Sequence, residues 1–320
     1  MTNKEKYIQF CAERPDIPVF SQPWWLDAIC PNSWDVILIE RNGKIVASFP
    51  YQKKKILKIF TQIGQPLLTQ KLGPYIVYES DSLKESKKIQ YEHEIYNAII
   101  DNLPKFDAFL INFNWKYKNW LPFYWNGFEQ TARYTYILDD IKNYDNLAIN
   151  YARRKKRLIQ KAEKTLTIRY DLPKDVFYDY FVNVIRERGG IVEFSKPIFE
   201  RIYNAVYEQN VGKVFYCIDA EENIHAISLV IWDCECAYYL VAMRDEKYKN
   251  SGGTEFLVNE MIKYVSKFVN KFDFEGSMIK GVEESFRQYG ARQTEYYTIF
   301  KHNNPFLKMI RDIRNSITKK

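Results

Sequence analysis

Near its end the chain reads Gly290-Ala-Arg-Gln293-Thr294-Glu-Tyr-Tyr297-Thr298, and an earlier stretch reads Gly127-Phe-Glu-Gln130-Thr131-Ala-Arg-Tyr134-Thr135. Glycine, glutamine, threonine, tyrosine and the closing threonine coincide. Upstream of each copy stands another matched pair, Phe106-Asp107 and Phe272-Asp273. Copies this far apart exceed the roughly 20–50-residue periods of solenoid arrays. They point to a duplicated domain, and 320 residues suffice for two domains that each bury a core.

The order of expected elements agrees. In the first half Pro23 opens a short helix with Ser21 as its cap. Residues 34–40 and 44–54 alternate on either side of Asn42-Gly43, a strong hairpin signal. A strand over 72–78 follows, then a helix over 84–102 with Ile89, His93, Ile95, Tyr96 and Ile99 at helical spacing. A strand over 106–113, a short helix within 116–125 and a β-rich run over 129–138 complete this half. The second half reads as a strand over 166–170 and helices near 174–187 and 197–209, separated by Gly189-Gly190. Strands over 213–219, 225–232 and 237–243 come next, then a helix over about 254–269. A strand over 272–275, a helix near 281–288 and a strand over 293–301 close it. Expected boundaries are 1–140, 141–304 beginning with a basic helix, and a tail over 305–320.

Composition narrows the setting. The opening Met-Thr-Asn-Lys-Glu-Lys lacks the apolar run of a signal peptide, and no stretch nears the roughly 18 apolar residues of a membrane span. Five scattered cysteines, an odd number, argue for reduced thiols in a cytoplasm rather than a disulfide framework. Cys234 and Cys236 stand close, but the three histidines have no metal spacing to them, so no zinc site is expected. A Gly-x-Ser-x-Gly elbow, a P-loop and a dinucleotide fingerprint are absent. Net charge is +7, and it concentrates in two places. Residues 151–164 hold seven bases against one acid, and the last fifteen hold five against one.

The second half, strand–helix–helix–three strands–helix–strand–helix–strand, resembles the GNAT acyltransferase fold. A tandem pair of such domains is similar to the Fem-type proteins, which transfer aminoacyl groups onto peptidoglycan precursors, and to acyl-CoA-using relatives that work near envelope polysaccharides. The most specific match is Phe272-Asp-Phe-Glu-Gly276 followed by Gly281-Val-Glu-Glu-Ser-Phe286-Arg287-Gln-Tyr289-Gly290. Arg287 stands where that family usually has Lys, and Tyr289 where it has Phe. The basic run ending in Leu158-Ile-Gln-Lys161-Ala162 is a second match. The resemblance implies an α/β (α+β) fold of two tandem GNAT-like domains, each a mixed, mostly antiparallel sheet flanked by helices.

Four groups of residues carry the functional reading. The turn Lys249-Asn-Ser251-Gly252-Gly253-Thr254 precedes a helix whose N-terminus would favour a donor phosphate. It partly matches the acetyl-CoA pyrophosphate grip of GNAT enzymes, while an ordinary strand-to-helix turn explains it as well. Arg287, permanently charged, cannot be a base, but could hold an oxyanion or a carboxylate. Of the carboxylates on the 272–275 strand, Glu275 is the candidate to take a proton from an attacking amine. Asp273 recurs as Asp107 and reads as structural. Arg153, Arg154, Lys155, Lys156, Arg157 and Lys161 wrap one helix and suit a polyanion such as a tRNA acceptor stem, CoA phosphates or a glycan precursor. In the tail, Phe306, Met309, Ile310 and Ile313 share a face and would suit an anionic membrane, or docking on the protein itself.

These readings converge on an acyltransferase, cytoplasmic or peripheral to the inner membrane face. It would acylate an amine of a cell-envelope precursor or glycan from acyl-CoA, without a metal. The alternatives are a Fem-type ligase using aminoacyl-tRNA on a peptidoglycan precursor, and a non-catalytic protein that binds a glycan precursor or a membrane surface.

Overall fold

The structure, a computed structural model, describes residues 1–80, 82–276 and 278–318, the last five as backbone alone. The elements run α1 (Asn3–Ala12), α2 (Pro23–Ile29), β1 (Trp34–Arg41), β2 (Lys44–Ile56), β3 (Phe60–Gly64), β4 (Tyr75–Ile76), α3 (Glu85–Asp101), β5 (Ala108–Asn112), α4 (Leu121–Trp125) and β6 (Glu129–Leu138). They continue with α5 (Tyr144–Ile149), α6 (Arg153–Ala162), β7 (Thr167–Tyr170), α7 (Lys174–Glu187), α8 (Lys196–Glu208), β8 (Gly212–Ile218), β9 (Ile224–Trp232) and β10 (Cys236–Arg244). Then come α9 (Gly253–Val265), β11 (Lys271–Asp273), α10 (Lys280–Arg287), β12 (Arg292–His302) and α11 (Pro305–Thr318). The architecture is α/β, with mixed, mostly antiparallel pairing and helices against the strands.

Two compact units divide the chain: Met1–Arg133 with Glu295–Lys320, and Tyr134–Thr294. The chain therefore changes unit inside β6 and again inside β12, the two strands that carry the repeat. The boundaries expected at 140 and 304 are displaced for a physical reason. The end of β12 pairs with β5, Thr298 opposite Asn112 through His302 opposite Ala108. Thr298 also donates its hydroxyl to Asn112 Oδ1 at 2.7 Å. Leu138 and Ile137 of β6 instead pair with Phe272 and Asp273 of β11.

In the first unit β1, β2, β3 and β5 are neighbours in that order, with β4 beside β2. Only β3 and β5 run parallel there. Helix α3 lays Ile95, Tyr96 and Ile99 on Phe49, Phe109 and Phe113, while Ile89 stays exposed. The expected strand over 72–78 shrinks to two residues, because Pro74 has no N–H to give a ladder. Ser21 does not cap α2. It lies in a single tight turn, its carbonyl accepts the Tyr7 hydroxyl at 2.7 Å, and Gln22 holds the cap position. Helix α1, for which no expectation was formed, opens with a Thr2/Glu5 capping box.

In the second unit the strand order is β6-β11-β10-β9-β8-β7, and only β10 and β11 are parallel. That pairing spans Cys236–Tyr238 against Lys271–Asp273. Beyond it β10 bulges between Tyr239 and Val241 and continues to Arg244. Helix α9 supplies Leu257, Val258, Met261, Ile262 and Val265 to the core, and α6 brings Ile159 and Ala162 into the same cluster.

Candidate functional site

Strand β11 stops at Asp273, one turn short of the expected end. The Asp273 carboxylate is fully buried; Oδ1 accepts the Glu275 amide at 2.7 Å and the Thr135 hydroxyl. Held this way, the chain turns through two consecutive left-handed residues, Glu275 (φ +61°) and Gly276 (φ +73°). A Cβ on Gly276 would stand 2.1 Å from the Tyr134 carbonyl oxygen, so only glycine fits. The expected strand alternation, with both carboxylates on one face, therefore fails. Asp273 anchors the turn, and Glu275 is presented from it in a strained conformation, only 7% exposed.

Arg287 ends α10 and is exposed, but its guanidinium is oriented. Its Nε lies 3.0 Å from Glu283 Oε1. The same oxygen accepts the Tyr136 hydroxyl at 2.8 Å, and Gln293 Nε2 donates to Tyr136 at 2.7 Å. The Tyr136 hydrogen bond, with Arg287 behind it, lowers the Glu283 pKa against the opposing effect of desolvation. A relay thus runs from the repeated Gln293 to Arg287. Nothing in the sequence separations joins these residues, so this relay was not foreseen.

Helix α6 splits the basic run. Lys155 is 3% exposed; its Nζ lies 3.0 Å from Glu255 Oε1 and 2.7 Å from Ser285 Oγ, over the Tyr289 ring. Burial lowers its pKa, and the Glu255 carboxylate pulls it part of the way back. At 3.6 residues per turn, Lys155, Ile159 and Ala162 share the inner face, so the five cations do not form one outward cluster. Lys156 Nζ donates to the Ile149 carbonyl at 2.6 Å, and Lys161 Nζ to the Asn250 carbonyl at 3.0 Å. Arg153, Arg154 and Arg157 are exposed, with no acidic partner among the described residues.

Against this helix sits the glycine turn. Gly252 (φ +83°) is the N-cap of α9, and a Cβ there would lie 2.5 Å from the Leu158 carbonyl of α6. A Cβ on Gly253 would meet Cys217 Sγ at 2.9 Å, and the Gly253 amide already donates to Ser251 Oγ at 3.1 Å. Glu255 places a carboxylate in the first turn. Packing thus accounts for both glycines, and a helix N-terminus under Leu158 with its own acid is a poor grip for a pyrophosphate. Lys249 is exposed and Thr254 half-buried. Beside the turn His225, left unassigned by sequence, stacks on Tyr248 at 3.8 Å and sits 3.1 Å from Asp219 Oδ2. Hydrogen bonds from Asn223 and His225 outweigh desolvation and lower Asp219 to about 2.

The tail helix α11 docks through Leu307, which is buried, and through Arg311, which reaches Glu129 at 3.1 Å. The apolar stripe foreseen in the sequence, Phe306, Met309, Ile310 and Ile313, stays exposed. No helix among the described residues is long and apolar enough to cross a membrane. Nor do the described residues gather three or more His, Cys, Asp or Glu side chains as a metal would need.

No family model matches the chain, and no curated protein matches it in sequence. Solved structures do match. A structure of FemX superposes with a TM-score of 0.67 at 15% identity, covering 93% of this chain and 96% of that one. The C-terminal domain of a putative lysylphosphatidylglycerol synthetase from Agrobacterium fabrum gives 0.55 at 10% identity, covering 94% and 93%. A tandem GNAT protein of the clavulanic acid pathway gives 0.51 at 9% identity, covering 95% of each chain. At such identities the likeness carries the fold alone, and that fold is the Fem-like arrangement of GNAT-type architecture across nearly the whole chain.

Proposed function

We propose that this chain is a Fem-type transferase that moves an aminoacyl group from aminoacyl-tRNA to an amine of a peptidoglycan or related cell-envelope precursor. The observation that carries the choice of donor is the seating of α6 on the N-terminus of α9. It covers the turn where CoA phosphates would be gripped and leaves Arg153, Arg154 and Arg157 outward for a polyanion. In the reaction the acceptor amine attacks the ester carbonyl carbon and forms a C–N bond. The bond to the ribose oxygen then breaks, and the amine proton leaves by way of Glu275 to that oxygen. Arg287, steadied by Glu283, offers its charge to the oxyanion of the tetrahedral centre. Acyl-CoA remains the second reading, supported by the exposed Lys249 beside Gly252.

Binding of aminoacyl-tRNA and of acetyl-CoA to the full chain, followed by transfer to a precursor amine, decides between them. The expected result is salt-sensitive tRNA binding whose log–log salt slope flattens by about 2–3 in the triple substitution Arg153→Ala, Arg154→Ala, Arg157→Ala. Glu275→Gln should keep tRNA binding and lose transfer. Tight CoA binding abolished by Lys249→Ala, with no response to tRNA, would replace this reading with the second.

A further inference from the structure

Two hairpins of the first unit bend through consecutive left-handed residues of opposite chemistry. Between β1 and β2 they are Asn42 (φ +52°) and Gly43 (φ +73°), which tolerate that backbone. Between β2 and β3 they are Leu57 (φ +48°) and Lys58 (φ +64°). A leucine is strained there. It is also 62% exposed, and Ile59 beside it is 67% exposed. Neither core burial nor turn chemistry asks for these side chains, so their presence at the tip needs another cause.

The neighbouring helix shows the same pattern. Phe60, which closes the hairpin, lies 6.0 Å from the ring of Phe306 on α11. Tip and helix therefore present one surface, continued by the exposed Met309, Ile310 and Ile313. A cleft of about 660 Å³ between them is lined by Ile56, Leu110, Phe300, Leu307 and Ile310. Lys54, Lys58 and Lys308 stand exposed around it, with no acidic partner among the described residues.

We propose that this surface docks on an anionic lipid bilayer. Leu57, Ile59, Phe306 and Met309 enter the boundary between headgroups and acyl chains, and the three lysines meet headgroup phosphates. The charge around the apolar patch selects this occupant over an uncharged protein groove. The proposal does not depend on the transfer reaction.

Co-sedimentation of the full chain with phosphatidylcholine vesicles, pure or carrying about 30 mol% phosphatidylglycerol, provides the test. The chain should partition at least about tenfold more strongly onto the anionic vesicles, and less so as salt is raised. The double substitution Leu57→Asn, Lys58→Gly gives this turn the residues of its sister hairpin and relaxes the backbone. It should stay folded and lose about tenfold in partitioning. Met309→Ser with Ile313→Ser should weaken it again. Equal binding to neutral and anionic vesicles, no binding to either, or full binding by the Leu57→Asn, Lys58→Gly variant would overturn the proposal. Vesicle binding without transfer, or transfer without vesicle binding, separates the fate of this inference from that of the reaction.

Discussion

Asp107 in the first unit and Asp273 in the second occupy matching places in the duplicated sequence, and both hold a backbone amide. Asp107 Oδ2 accepts from Thr61 N at 2.7 Å, and Asp273 Oδ1 from Glu275 N at 2.7 Å. There the likeness ends. Asp107 is half-exposed, whereas Asp273 is sealed in the core and also receives Thr135. Only the second turn goes on through the left-handed Glu275 and Gly276. Residues kept in both copies serve as scaffold in each, and the features that suit chemistry lie where the second unit departs from the first.

The most forceful way to break that comparison is at Gly276, which has no glycine counterpart in the first copy. A methyl there would press on the Tyr134 carbonyl at 2.1 Å from a backbone already at φ +73°. Gly276→Ala should cost about 3 kcal/mol or more and displace Glu275. A denaturant midpoint close to wild type would show that the turn is not fixed as described.

Next in size is Lys155, which belongs to no repeated position. Lys155→Ala leaves Glu255 facing the interior without its cation, and should cost about 3 kcal/mol, the low end for a buried pair because Glu255 keeps some solvent. Lys155→Ala with Glu255→Ala should recover much of the loss, as a double-mutant cycle would record. If the single and double variants lose the same stability, the pair is not what seats α6.

How legible was this in the sequence? The periodic elements were: α3, α7, α8, β6 and the Asn42-Gly43 hairpin fall within a residue or two of their expected bounds. Elements without strong periodicity or turn residues escaped, as β3 did, because Leu57 and Lys58 carry no turn signature. At the site, the cations of α6 were read as a run of charge. Yet the spacing of Lys155, Ile159 and Ala162 at i, i+4 and i+7 already marked an inner face. The Gln293–Tyr136–Glu283–Arg287 relay was illegible for another reason. It joins three elements, and no local pattern encodes which side chains meet across a fold.

The repeated aspartates sharpen the comparison at smaller scale. Asp273→Ala strands a buried amide and a hydroxyl, and should cost about 2–3 kcal/mol. Asp107→Ala frees an amide nearer to water and should cost about 1 kcal/mol. Equal losses would mean that burial does not distinguish the two turns.

The smallest effect comes from the repeated glycines themselves. Gly127 (φ +74°) and Gly290 (φ +78°) share the left-handed backbone that ends α4 and α10. Their surroundings are roomy. An added Cβ on Gly127 would have the flexible end of Lys301 at 3.6 Å, and one on Gly290 would have Asn150 at an ordinary 3.5 Å. With no collision to relieve, Gly127→Ala and Gly290→Ala should each lose only the cost of forcing alanine into that backbone, about 1 kcal/mol. Substitution by Asn, which tolerates the conformation better, should return part of it. Matching losses in the two variants would mark the repeat as a pair of helix stops. A much larger loss of transfer than of stability in Gly290→Ala alone would instead tie this glycine to the neighbouring Arg287, and so to the side of the molecule where the two halves differ.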